Sequence, residues 1–360
     1  MFGIFYFSGN IKAANFIDGY LWGNDSGRYI EGAEKILNFE IRAGKTSSYL
    51  GYVLFIAFFK YFNFNLTYVA ISQIFLTIIS SLCIYRITKK FSSHVGGVLS
   101  ISLYLFYLPL QIRNFYILTE TIFICSIIFF IYFVIFYKKK FLPLIIFFII
   151  FIITIRPHGI LIIPSFFLSI LIWSYYNDYK KLFYIIIINF VILSYPTLLL
   201  LNLYLENEDI VAKISSNGII YGYENENNFI NFKDPFSINN DLFSLIIYLS
   251  DNFNAFITSF LKKLWFFLLR VRPYYSDVHS IYLIVINFIY LPLAVFGMFK
   301  VNFKNEVGVI LMFLLILIFS MSVGFTFADW SGRFSLYILP IFFIFAGIGF
   351  SSIFKTYFSK

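Results

Sequence analysis

Charge is scarce in this chain: of 360 residues only 12% are Asp, Glu, Lys or Arg, against 60% hydrophobic and 23% aromatic. A soluble globule has too little polar surface to cover that apolar content, so lipid must supply much of the solvent. Cysteine is nearly absent. Cys83 and Cys125 both fall inside apolar runs, so no disulfide or cysteine-based zinc framework is visible, and the redox compartment stays open. No internal repeat of the kind that builds inverted transporter halves is visible by inspection. Met1 to Gly23 lacks the apolar core of a cleavable signal, since Asn10, Lys12, Asn15 and Asp18 interrupt it. The expectation there is an interfacial segment, or a first spanning helix lost upstream.

What the chain does have is a succession of apolar runs long enough to cross ~30 Å of hydrocarbon. They fall at 66–86, 96–112, 118–137, 141–155, 159–175, 182–203, 279–299, 306–326 and 334–354. The net charge of +9 comes from short basic clusters between these runs, as in Arg86/Lys89/Lys90, Lys138–Lys140, Lys180/Lys181 and Lys300/Lys304. That distribution reads as a topology signal marking the cytoplasmic side, and nucleic-acid binding is excluded. The expected fold is all-α: a polytopic transmembrane helical bundle, residues 1–360 as one membrane domain.

On the same topology, nearly all acidic residues except Asp178 and Glu306 fall on the outer side. Residues 24–63 form a first outer loop with juxtamembrane helices. One amphipathic helix is expected over 25–40, and a short apolar one over 49–62 that dips into or lies on the membrane. Residues 204–278 form a large outer loop ending in a basic juxtamembrane segment. Its polar stretch is too short for a nucleotide-binding domain.

The residues able to carry chemistry are few. In Asn24-Asp25-Ser26-Gly27-Arg28-Tyr29, Asn24 or Ser26 can cap a helix and place Asp25 in its first turn, where the dipole favours the carboxylate. Asp25 is then either a general base or part of the capping alone. Glu120 opens an apolar run; it faces a wet cavity, or it pairs with Arg113. Arg156-Pro157-His158-Gly159 forms a Pro-interrupted turn that aims a guanidinium and an imidazole inward, with His158 a metal ligand or a structural hydrogen-bonder. Lys262, Lys263, Arg270 and Arg272 put positive charge on the outer side, against the usual bias. Their partner is phospholipid headgroups or a polyprenyl phosphate. Asp329-Trp330-Ser331-Gly332-Arg333-Phe334 precedes a last run bearing Pro340, with Arg333 an interfacial anchor or a site residue.

Taken as an ordered set on one side, these motifs resemble the GT-C superfamily of membrane glycosyltransferases. The likeness is to bacterial relatives of protein O-mannosyltransferases and of the lipid A aminoarabinose transferase. It is carried by Asp25 with Arg28 and Tyr29, by Thr119-Glu120, by Arg156-Pro157-x-Gly159, and by Gly332-Arg333-Phe334 with Pro340. It covers most of the chain from Gly23 onward; the expected first spanning helix and a soluble C-terminal domain are not matched.

The resemblance implies a multi-pass protein of the bacterial inner membrane with its site facing outward. It implies inverting transfer of a sugar from a polyprenyl phosphate to the hydroxyl of a glycan, lipid or protein in the cell envelope. Asp25 would be the base. Arg156, Arg270, Arg272 or Arg333 would hold the donor phosphate, with Arg28, Tyr29 and His158 in support. Glu120 would orient the acceptor or, with His158, hold a divalent metal ion. A polymerase using lipid diphosphate carriers and a transporter or flippase of lipid-linked sugars are the alternative readings.

Overall fold

A backbone in lipid must satisfy its own hydrogen bonds, and uncharged runs of Ile, Leu and Phe therefore coil into helices. The computed structural model describes residues 16–17, 20–23, 25–40, 47–192, 219–220, 242–304, 306–326 and 332–358. Apart from a two-residue antiparallel pairing of β1 (Phe16–Ile17) with β2 (Tyr20–Leu21), the bridge of Leu21 with Tyr116 and a bridge position at Ile220, these residues form helices, 3₁₀ turns and their connections.

The segment expected as the first outer loop contains α1 (Ser26–Leu37) and α2 (Leu50–Tyr61). The apolar runs become α3 (Thr67–Phe91), α4 (His94–Phe106), α5 (Glu120–Ile135), α6 (Leu142–Ile155) and α7 (Ile162–Tyr176). After these come α8 (Leu242–Asp251), α9 (Phe253–Leu269), α10 (Asp277–Lys300), α11 (Val307–Ser322) and α12 (Leu339–Phe358). Of the run expected at 182–203, residues 180–192 are helical and the remainder lies outside the described residues.

Among the described residues three helical stretches, Thr67–Phe91, Pro157–Tyr176 and Asp277–Lys300, are long and apolar enough to cross a membrane. His94–Phe106 and Leu108–Phe115 make a fourth only if taken together, because they are bent by 60°. The single span expected at 96–112 is thus broken: Pro109 has no N–H to continue α4 and instead starts a new short helical segment. Glu120–Ile135, Val307–Ser322 and Leu339–Phe354 are apolar but shorter.

Core and periphery are sharply divided. α5 is buried along almost its whole length, whereas α10 exposes large apolar side chains such as Phe288 and Phe299. Exposed apolar surface on that scale suits lipid rather than water. Glycine lets α10 and α12 touch: a Cβ on Gly297 would lie 1.9 Å from the Phe345 carbonyl oxygen.

One end of the bundle gathers the segments that carry the basic clusters. There Lys90 pairs with Glu306 at 2.7 Å and donates to the Ile135 carbonyl at 3.0 Å. Asn177 donates to the carbonyl of Lys304 at 2.7 Å. The opposite end gathers the residues of the candidate site.

Candidate functional site

The chain ahead of α1 is stitched to the segment ahead of α5. Leu21 forms a parallel bridge with Tyr116, and the Ile117 N–H donates to the Leu21 carbonyl at 3.4 Å. The Ser26 hydroxyl donates to the Ile117 carbonyl at 3.1 Å and accepts from the Gly23 N–H at 2.8 Å. A Cβ on Gly23 would come 3.0 Å from the Leu118 side chain, so glycine permits this approach. The stitching brings Asp25 up to Glu120, two residues beyond Leu118.

Asp25 occupies the N-cap of α1, one position earlier than expected, yet its side chain makes no capping bond. Ser26, an expected capping residue, is instead spent on Ile117 and Gly23; Asn24 lies outside the described residues. The Asp25 carboxylate faces Arg28 at 3.5 Å and Arg333 at 3.2 Å. Helix capping therefore does not account for it.

Glu120 begins α5 and is fully buried. Its partner is not Arg113, whose charge reaches it only at longer range, but Arg156 at 3.0 Å and Arg333 at 3.7 Å. Neither carboxylate oxygen receives an aligned hydrogen bond, so the contact with Arg156 is one of charge with acceptor capacity left over. Arg156 follows the last residue of α6 in extended conformation, since Pro157 cannot continue the helix. A Cβ on Gly159 would sit 2.3 Å from the Ile152 carbonyl, which lets the turn fold tightly back on α6. The Arg156 guanidinium lies over the rings of Tyr337 at 5.2 Å and Phe334 at 5.8 Å. His158 packs its ring on Phe334 at 4.8 Å between centroids.

Arg333 thus bridges both carboxylates, and Asp25, Arg28, Glu120, Arg156 and Arg333 form one cluster. Arg270 and Arg272 adjoin it through Gly332. Arg270, buried at the end of α9 with φ of 60°, donates Nε to the Gly332 carbonyl at 3.1 Å and Nη1 to the Tyr107 hydroxyl at 2.7 Å. A φ of that sign is a common way to end a helix, and Phe39, Asn63 and Asp178 take it after α1, α2 and α7. Gly332 also has positive φ, and a Cβ there would stand 3.5 Å from both Arg270 Nε and Arg272 Nη2. Arg272 donates to the Phe266 carbonyl at 2.6 Å. Asp329 and Trp330 lie outside the described residues.

Tyr29 is buried beneath this cluster, its ring 5.3 Å from those of Tyr49 and Tyr52. Burial, then the charge of Glu120, raises its phenol well above the usual range, so it stays protonated. Sequence reasoning missed the polar support below. Gln73 accepts from the Tyr52 hydroxyl at 3.2 Å and donates to the carbonyls of Asn114 and Tyr116, each at 2.9 Å. Thr77 and Thr121 donate to Asn114 Oδ1 at 3.0 and 3.1 Å. The signal was there: Gln73, Thr77, Ser80, Ser81, Ile84 and Thr88 lie on one buried face of an otherwise apolar α3.

Among the described residues no three of His, Cys, Asp and Glu come together as metal ligands. Both carboxylates are flanked by guanidinium groups, which repel a divalent cation and suit an anion instead. Comparison with protein-family models, curated proteins and solved structures finds no match. The functional reading therefore rests on residues and geometry.

Proposed function

We propose that this chain is a multi-pass glycosyltransferase of a bacterial inner membrane, moving a sugar from a polyprenyl-phosphate carrier to an acceptor hydroxyl at the outer face. One observation carries the reading. Asp25, Glu120, Arg156 and Arg333, far apart in sequence, converge on one charged cluster at the end of the bundle away from the basic loops. Next to it Arg270, a buried cation, donates to the Gly332 carbonyl and the Tyr107 hydroxyl. A cluster this rich in guanidinium groups suits an anion, and the phosphate of a lipid carrier supplies one.

The roles follow from exposure. Glu120, sealed between two guanidinium groups, orients Arg156 and Arg333. Asp25, with its side chain 23% exposed, is the carboxylate an acceptor can reach. It takes the proton of the acceptor hydroxyl as that oxygen bonds to the anomeric carbon. The bond from that carbon to the phosphate oxygen breaks, and the electron pair leaves with the lipid phosphate toward the arginines. One displacement of this kind inverts the anomeric configuration. Glu120 does not need a metal for this role.

The test is transfer of label from radiolabelled polyprenyl-phosphate sugars into a membrane extract by purified protein in nanodiscs. Wild type transfers label, and equally folded Asp25→Asn loses at least ~10²-fold. Full activity in Asp25→Asn removes Asp25 as the base. Transfer only from diphosphate carriers replaces this reading with the polymerase one.

A further inference from the structure

α2 has two unlike faces. Tyr52, Val53, Ile56, Ala57 and Phe59 are buried against the protein. Leu50, Leu54, Phe58 and Tyr61, at helical spacings of four, four and three, are exposed, Tyr61 by 70%. The exposed face continues into the turn toward α3. Phe58 and Phe62 meet at 5.2 Å between ring centroids, Phe62 and Phe64 at 6.2 Å, and Phe64 and Tyr68 at 5.1 Å. Beyond Tyr68 it runs on along Ile71, Phe75, Ile78 and Leu82, the exposed face of the longest membrane-spanning candidate.

Charge is missing from this surface. The one ion at the end of α2, Lys60, is turned onto Glu34 of α1 and neutralised there. What remains is aromatic and aliphatic, with Tyr61 and Tyr68 hydroxyls and Asn63 and Asn65 at the rim. Rings with a polar tip at the end of an apolar helix favour the boundary between lipid headgroups and acyl chains. At 12 residues, α2 is about 18 Å long and cannot cross the bilayer. It has the length and the outer face of a helix lying at that boundary.

We infer that the outer face of α2, with the aromatic turn Phe58–Tyr68, is a lipid-docking surface seated at the headgroup–acyl boundary, and that it sets the height of α1 and Asp25. The coupling is rigid: Tyr29 of α1 packs on Tyr49 and Tyr52, and Glu34 of α1 holds Lys60 of α2. This inference rests on the membrane part of the proposed function and not on glycosyl transfer.

The experiment places an environment-sensitive fluorophore at Phe62→Cys, in full-length protein carrying Cys83→Ala and Cys125→Ala, reconstituted in phosphatidylcholine nanodiscs. Nitroxide lipids labelled at the headgroup, near the top of the acyl chain, or midway down it serve as quenchers. A second fluorophore at Ile78→Cys, mid-way along α3, is the control. Expected is quenching at Phe62 about twofold stronger from headgroup and upper-chain labels than from mid-chain ones, with the reverse order at Ile78. Mid-chain quenching strongest at Phe62 overturns the inference, as does none from any lipid. So does energy transfer between labelled copies that is indifferent to lipid labels, since a second copy then covers the face. Absence of quenching at Ile78 indicts the membrane reading instead. Tyr61→Cys repeats the measurement if the Phe62 variant folds poorly.

Discussion

Replacing Glu120 by glutamine keeps its shape and removes its charge, and the structure fixes what is left behind. Arg156, its side chain 5% exposed and 3.0 Å from Glu120, becomes a buried cation with no carboxylate. Arg333, 28% exposed and still held by Asp25 at 3.2 Å, loses little. Removing one partner of a buried pair costs about 3–5 kcal/mol, mostly through the charge left alone. With an unfolding entropy of about 2.1 cal/mol/K per residue over 360 residues, that lowers the midpoint by roughly 4–7 °C. The assay is thermal unfolding of nanodisc-embedded protein by intrinsic fluorescence, for Glu120→Gln, Arg156→Met and the pair. Each single variant loses stability and the double variant recovers a large part of it, because neither charge then stands unpaired. An unchanged midpoint in Glu120→Gln, or losses that simply add in the double variant, refutes the pairing as the organising contact.

Arg270→Gln removes a charged donor from the proposed phosphate position. It weakens competition by unlabelled polyprenyl phosphate for donor binding about 10- to 100-fold, the worth of one charged hydrogen bond; undiminished competition takes Arg270 out of that role. Gly297→Val puts a methyl-bearing carbon 1.9 Å from the Phe345 carbonyl, so α10 and α12 must part and monodisperse protein is lost on size exclusion. Gly27→Ala, whose Cβ among the described residues meets Trp22 at 3.4 Å, elutes as wild type and serves as its control. Burial pushes Lys263 of α9 down from 10.5 to about 8. The unfolded chain then binds the extra proton between these values, so stability rises with pH from about 8 up to about 10. Above that, Tyr29, whose folded-state phenol is raised by burial, begins to oppose the trend. A thermal midpoint that Lys263→Met leaves equally pH-dependent over that window refutes the assignment.

Much of the architecture was legible because membrane helices announce themselves by composition. The expected 66–86, 141–155 and 279–299 reappear as Thr67–Phe91, Leu142–Ile155 and Asp277–Lys300. Hydropathy could not see the break after Phe106, since Leu108-Pro109-Leu110 is as apolar as its neighbours and only the missing proline N–H marks the bend. The candidate residues were visible as charges where charge is expensive. Their pairing was not, because proximity in sequence favoured Arg113 for Glu120 while the fold delivers Arg156 and Arg333 from the turns after α6 and before α12. Gln73 escaped notice for a related reason. An amide in an apolar helix carries no charge to flag it, and its partners, Tyr52, Asn114 and Tyr116, come from elsewhere in the chain.

Helix length explains why these charges meet where they do. α5 and α11 have 16 residues each and α6 has 14, so they extend about 24 and 21 Å at 1.5 Å per residue. On the proposed reading each falls short of a ~30 Å hydrocarbon layer. The other ends of α5 and α11 lie near the Lys90–Glu306 contact, where α5 ends at Ile135 and α11 begins beside Glu306. The shortfall therefore accumulates at the far end, where α5 opens on Glu120 and α6 gives way to Arg156. Irregular backbone at membrane depth is tolerated only where protein or a water-filled cavity surrounds it. The extended Arg156, the turn 112–115 and the strand-like Tyr116 and Leu21 fill that depth, held by Gln73 and Ser26. Glu120 and Arg156, sealed from water there, find one another; on the proposed reading, a lipid phosphate entering from the side meets arginines already fixed in place.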